Sequence, residues 1–124
     1  IRGAYAAGDV FFFPTHEENE GIALLEAMAA GKPLVVRDIE TFSWLDDGEE
    51  CLKVGSEGDG RDGADAAAAD DAPGDNVAGF VDAVNELRDA DRRTELGANA
   101  AARSEAFSLD AIADRYRSLY AELA

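Results

Sequence analysis

Residues 9–36 read DVFFFPTHEENEGIALLEAMAAGKPLVV, and the order of patterns inside them decides the fold. Val10, Phe11, Phe12 and Phe13 are continuously apolar rather than alternating, which predicts a strand over 10–13 buried on both faces, as in a parallel sheet. Pro14 has no amide to give to a ladder and ends it. From Gly21 the apolar residues Ile22, Leu24, Leu25, Met28 and Ala29 recur at helical spacing, and Gly31 followed by Lys32 and Pro33 supplies a cap and a stop. Leu34, Val35 and Val36 then repeat the buried-strand pattern. Strand, loop, helix, strand is the building unit of an α/β fold with a parallel sheet.

Working outward, residues 41–45 predict a short helical turn, Asp46, Asp47 and Gly48 a turn, and residues 51–54 a third short strand. Residues 56–75 are rich in Gly, Asp and Ala and carry no large apolar side chain. Such a stretch cannot bury enough surface to offset its ordering entropy, so it predicts a flexible acidic insertion. Residues 76–124 predict a helical tail. Val77, Phe80, Val81, Val84 and Leu87 form one apolar stripe, Ile112, Tyr116, Leu119, Tyr120 and Leu123 another, and an Ala-rich helix lies between them around 95–106. Both stripes read as packing surfaces.

At 124 residues, 47% of them hydrophobic, the chain has material for one core and is too short for two ordinary domains. It reaches a buried-strand pattern within ten residues of Ile1, which leads us to expect a partial domain over 1–124. Acidic residues outnumber basic ones 27 to 11, a formal charge of -16. That sign excludes nucleic acid as a partner and argues against adsorption of this segment to an anionic membrane surface. A body so charged repels itself in dilute buffer, whereas at ~1 M salt the screening length falls to about 3 Å. Acid excess, only two lysines (Lys32 and Lys53) and abundant alanine point to a salt-rich cytoplasm. Cys51 is the single cysteine, so no internal disulfide forms, and the expected location is cytoplasmic.

The loop 14–21 leaves the carboxyl end of a parallel strand and enters a helix, where open α/β sheets bind their ligands. The amides of Gly21, Ile22 and Ala23 precede any intrahelical partner, and the helix dipole there favours negative charge. A diphosphate suits them. Gly21 admits a close ligand approach, or is simply a helix-start glycine; spacing alone supports both. Glu17, Glu18 and Glu20 crowd the loop, as ordinary dipole partners would. Glu26, a turn and a half into the helix, is either a surface glutamate or a carboxylate placed to accept two hydroxyls, such as those of a ribose. His16 is within reach of a phosphate or sugar, and with no second histidine it makes no metal site. Trp44 reads as an anchor for the short turn or as an acceptor contact, and Arg37 and Asp38 as cleft residues or as a pair.

Glu18 and Glu26 are separated by seven residues, and the whole stretch, with DGEECLKV after the second strand, resembles the E-x7-E segment of the group 1 glycosyltransferases. The resemblance runs from about residue 6 to 54. It implies the C-terminal portion of a Rossmann-like parallel-sheet domain in a two-Rossmann-domain (GT-B type) retaining enzyme, with a helical tail. Carried over residue by residue, it implies Glu18 beside the donor sugar as the catalytic-face glutamate, Glu26 on the ribose hydroxyls, and the backbone of Glu20, Gly21 and Ile22 on sugar and phosphates. Most members have an aromatic residue where this chain has Glu20. The resemblance further implies a nucleotide-diphosphate sugar as substrate, no metal or other cofactor, and an N-terminal acceptor domain upstream of Ile1. The wording EENEGI with LVVRDIETFSWLDDG is closer to members that glycosylate diacylglycerol-type lipids, which implies a lipid or lipid-linked acceptor and a peripheral place at the cytoplasmic membrane face.

Two other classes remain readable. Sugar-nucleotide 2-epimerases share a stretch like GKPLVVRD at 31–38 but carry Ser-Gly-Gly where this chain has Asn19, Glu20 and Gly21. A non-catalytic flavodoxin-like interaction module needs aspartates at strand ends that the visible strands do not supply.

Overall fold

The computed structural model describes residues 2–55 and 76–123. The expected acidic insertion over 56–75 lies outside the described residues. The elements are α1 (Arg2–Ala7), β1 (Phe11–Phe13), α2 (Ile22–Ala29), β2 (Leu34–Arg37), a 3-10 turn (Glu40–Phe42), β3 (Cys51–Val54), α3 (Val77–Glu86), α4 (Ala90–Ser104), a second 3-10 turn (Glu105–Phe107) and α5 (Leu109–Leu123).

The three strands form a parallel sheet in the order β1-β2-β3, with Phe11 opposite Leu34 and Leu34 opposite Cys51. All four residues of β2 are buried, because helices cover both faces. Leu34 and Val36 join Leu24, Ala27 and Met28 of α2, Phe42, Leu45, Cys51 and Ala100 of α4 in one apolar cluster. Val35, on the opposite face, packs with Leu52, Val54, Leu96 and the α3 residues Phe80 and Ala83. This alternation along a uniformly apolar strand is the period-two geometry of a sheet with two interiors.

The α4 start is capped by Asp89, whose Oδ1 accepts the amides of Asp91 and Arg92. Downstream, α4 crosses the end of α2 where Gly97 meets Gly31, so closely that a Cβ on Gly97 would overlap the Gly31 carbonyl. The outer edge of β3 is occupied locally. Gly48 N donates to Cys51 O at 2.7 Å, Lys53 N to Asp47 Oδ1 at 2.8 Å, and Asn76 Nδ2 to Gly55 O at 2.8 Å. Side chains and a turn thus satisfy polar groups that a bare edge strand would offer to another chain.

Three expectations need correction, and one helix was not expected. Strand β1 is not buried on both faces, since Phe12 is 47% exposed. A helix over Arg2–Ala7 precedes the first strand, where the sequence carries no apolar period to announce it. In α3 the buried face is Phe80, Ala83 and then Leu87, while Val77, Val81 and Val84 are exposed, because the sheet meets the helix one residue column away from the valine stripe. In α5 the Ile112, Tyr116, Leu119, Tyr120, Leu123 stripe covers no core: the helix has no buried residue.

Candidate functional site

The polypeptide between β1 and α2 is held by the last residue of β2 and by the segment that follows it. Arg37, at the carboxyl end of β2 and 3% exposed, donates from Nε to the Pro14 carbonyl at 3.3 Å and stacks over the Phe80 ring at 5.0 Å. Thr41 Oγ1 donates to the Glu18 carbonyl at 2.9 Å. The Phe42 ring lies behind Gly21, where a Cβ would come within 3.1 Å of Cε1, and Gly21 has φ +68°, a left-handed conformation that favours glycine. The observed need for glycine here is therefore conformational and steric.

Gly21 is the residue before α2 and no side chain caps the helix start. Leu24 N and Leu25 N reach the Gly21 carbonyl at 2.9 and 3.1 Å, so intrahelical bonding begins only after Ile22 and Ala23. Ile22 itself is 62% exposed. The start of α2 thus presents dipole and amides at the carboxyl edge of the sheet, as the order of patterns predicts.

Glu18 is half-buried and turned on its own loop: Oε1 accepts the Asn19 amide at 2.8 Å and the Glu20 amide at 3.4 Å. The Asn19 amide holds the Glu18 carboxyl below the ordinary glutamate range against partial desolvation, and the Glu20 and Gly21 amides add to it. The carboxylate fixes the loop into a turn of successive amides. Glu20 and His16 are exposed on the same connection.

Glu26 is exposed on α2 and meets a partner that the sequence reading missed. Tyr5 of α1 places its hydroxyl 2.9 Å from Glu26 Oε2 and 3.3 Å from the Ala23 carbonyl. The signal available was an aromatic residue six positions before the first strand, too little without the helix that carries it. Trp44 sides with the anchoring reading, its ring 4.9 Å from Phe107 and its carbonyl bound by Arg103. Asp38 pairs with Lys53 at 3.7 Å.

The glutamate connection does not line the groove of about 430 Å³ between β3 and α3, whose wall carries Lys53, Asn76, Asp82 and Arg92. Among the described residues no cluster of three His, Cys, Asp or Glu is placed to hold a metal ion, and no helix is long and apolar enough to cross a membrane.

Over residues 1–89 the chain matches the protein family described as glycosyl transferases group 1. It is 46% identical over 54 residues to the processive diacylglycerol alpha-glucosyltransferase of Acholeplasma laidlawii, covering 43% of this chain and 16% of that protein. It is 33% identical over 125 residues to the D-inositol 3-phosphate glycosyltransferase of Corynebacterium jeikeium (strain K411), covering 99% of this chain and 26% of that protein. The sucrose-phosphate synthase structure from Thermosynechococcus elongatus superposes with a TM-score of 0.70 at 24% identity, over 97% of this chain and 26% of that one, and shares the fold. The chain spans about a quarter of the length of the relative that it matches from end to end.

Proposed function

Because this chain belongs to the group 1 glycosyl transferases, we propose that it is the donor-binding part of a retaining hexosyltransferase that uses a nucleotide-diphosphate sugar. The observation that carries the reading is the placement of Glu18 in the strand-to-helix connection and of Glu26 in the helix it enters, either side of an uncapped helix start. Glu26 accepts the ribose hydroxyls. The Glu20 and Gly21 amides face the Glu18 carboxylate, so the amides of Ile22 and Ala23, which precede the first intrahelical bond, stabilise the diphosphate with the α2 dipole as charge develops on it. Glu18 stands beside the sugar ring, in a loop held rigid by Thr41 and by its own amide contacts.

In the transfer step the bond from the anomeric carbon to the diphosphate oxygen breaks and a bond from that carbon to the acceptor oxygen forms on the same face. The acceptor proton passes to the departing diphosphate, which leaves with the electron pair of the broken bond. The chain contributes position and charge stabilisation, and no side chain need become covalently attached. The acceptor we propose is a lipid hydroxyl of the diacylglycerol type, supported by the name of the Acholeplasma laidlawii relative and by the wording around EENEGI. Neither the family matched nor the relatives above is a 2-epimerase or a receiver module, and those alternatives carry no proposal.

The test is the melting temperature of the complete protein in multimolar KCl with UDP, GDP, ADP and their sugar conjugates, for wild type and Glu26→Gln. A nucleotide present at 100 times its dissociation constant adds about 2.7 kcal/mol of stability. We expect one base to stabilise the wild type and the variant to lose most of that shift. A folded wild type that responds to none of them overturns the reading.

A further inference from the structure

The carboxylate on which nucleotide recognition depends is held by a hydroxyl from α1. Tyr5 Oη lies 2.9 Å from Glu26 Oε2 and 3.3 Å from Ala23 O. A phenol has one hydrogen, and the shorter contact is to the charged acceptor, so the proton points at Glu26. The Tyr5 ring is half-buried against the core cluster and 5.9 Å from Phe11. Its hydroxyl is therefore placed by packing that does not depend on the bond it makes. Glu26 is an exposed side chain with three rotatable torsions, and the Tyr5 bond fixes one of its oxygens.

We propose that Tyr5 is a positioning residue for Glu26, holding the carboxylate in the orientation that accepts the vicinal hydroxyls of a ribose. The proposal rests on the assignment of Glu26 to the ribose given above. With Tyr5 on one side of Oε2, Oε1 and the remaining lone pair of Oε2 are left to accept two adjacent hydroxyls. The Tyr5 hydroxyl is also held above the ordinary phenol range, first by its hydrogen bond to Glu26 and then by partial desolvation and the Glu26 charge.

The test compares dissociation constants of the complete protein for the preferred nucleoside diphosphate and for its 2′,3′-dideoxy counterpart, in wild type, Tyr5→Phe and Glu26→Gln. Phenylalanine keeps the ring and its packing. We expect wild type to prefer the ribose ligand and Glu26→Gln to abolish that preference. Tyr5→Phe should weaken the ribose ligand about five- to tenfold, the loss expected for one charge-assisted hydrogen bond acting through its neighbour, and leave the dideoxy ligand within about twofold. Equal weakening of both ligands marks a purely structural tyrosine and overturns the proposal, as does no change in either. A wild type that binds both ligands alike removes Glu26 from the ribose and the proposal with it. A wild type that binds neither instead refutes the nucleotide-sugar reading itself.

Discussion

Glu18 makes the loop between β1 and α2 sensitive to acid, and the sign follows from its contacts. Its carboxyl is held below the ordinary value of 4.5 by bonds that exist only in the folded loop. The stabilisation is fully present above the unfolded glutamate pKa and is lost as pH falls through the lowered folded value. We expect the amide resonances of Asn19 and Glu20 to shift together with a midpoint below 4.5, and Glu18→Gln to remove that step. Amides that titrate with a midpoint at or above 4.5 would show that Glu18 does not hold the turn. At this scale the sequence was informative about identity and poor about partners. The seven-residue spacing singled out Glu18 and Glu26, whereas Tyr5 and Thr41 lie 21 and 23 residues away from the groups they bind. Contacts of that separation exist only once the sheet has formed, and no local pattern encodes them.

Between elements, the tightest fit is the crossing of α4 over the end of α2. Alanine at position 97 gains up to ~1 kcal/mol of helix propensity over glycine, yet its methyl would overlap the Gly31 carbonyl. Overpacking against backbone costs ~1–3 kcal/mol, so we expect Gly97→Ala to destabilise despite the better helix former, with the loss measured by denaturant unfolding. A stabilised variant would place the two helices further apart than described here. The same scale explains which elements were legible. The β1, α2, β2 and β3 patterns are apolar runs with a proline or glycine at their ends, and each appears within a residue or so of its expected place. Helix α3 was found, and Phe80 and Leu87 of its expected stripe are buried, but Val77, Val81 and Val84 are not, although they recur at helical spacing just as Phe80, Ala83 and Leu87 do. Only the position of the sheet chooses between two such columns, and the chosen one includes small Ala83, which a search for bulky residues passes over. Helix α1 has six residues and docks through Tyr5, leaving no period to detect.

For the molecule as a whole, the formal charge of -16 sets the conditions in which the other measurements are meaningful. The screening length is about 10 Å at 0.1 M salt and 3 Å at 1 M, so repulsion across the surface fades over that range. We expect the melting temperature to climb as KCl is raised from 0.1 M into the molar range and then to level off. A melting temperature indifferent to KCl would refute adaptation to a salt-rich interior. One contact described above gives the body a clasp between two elements. Gly55 and Asn76 are joined by a hydrogen bond of 2.8 Å, and Asn76 also caps α3 through Gly79 N, so both ends of the intervening stretch are anchored in the folded frame. The clasp therefore couples β3 to α3 as one unit, so that loss of the Asn76 side chain would free the end of the strand and the start of the helix together.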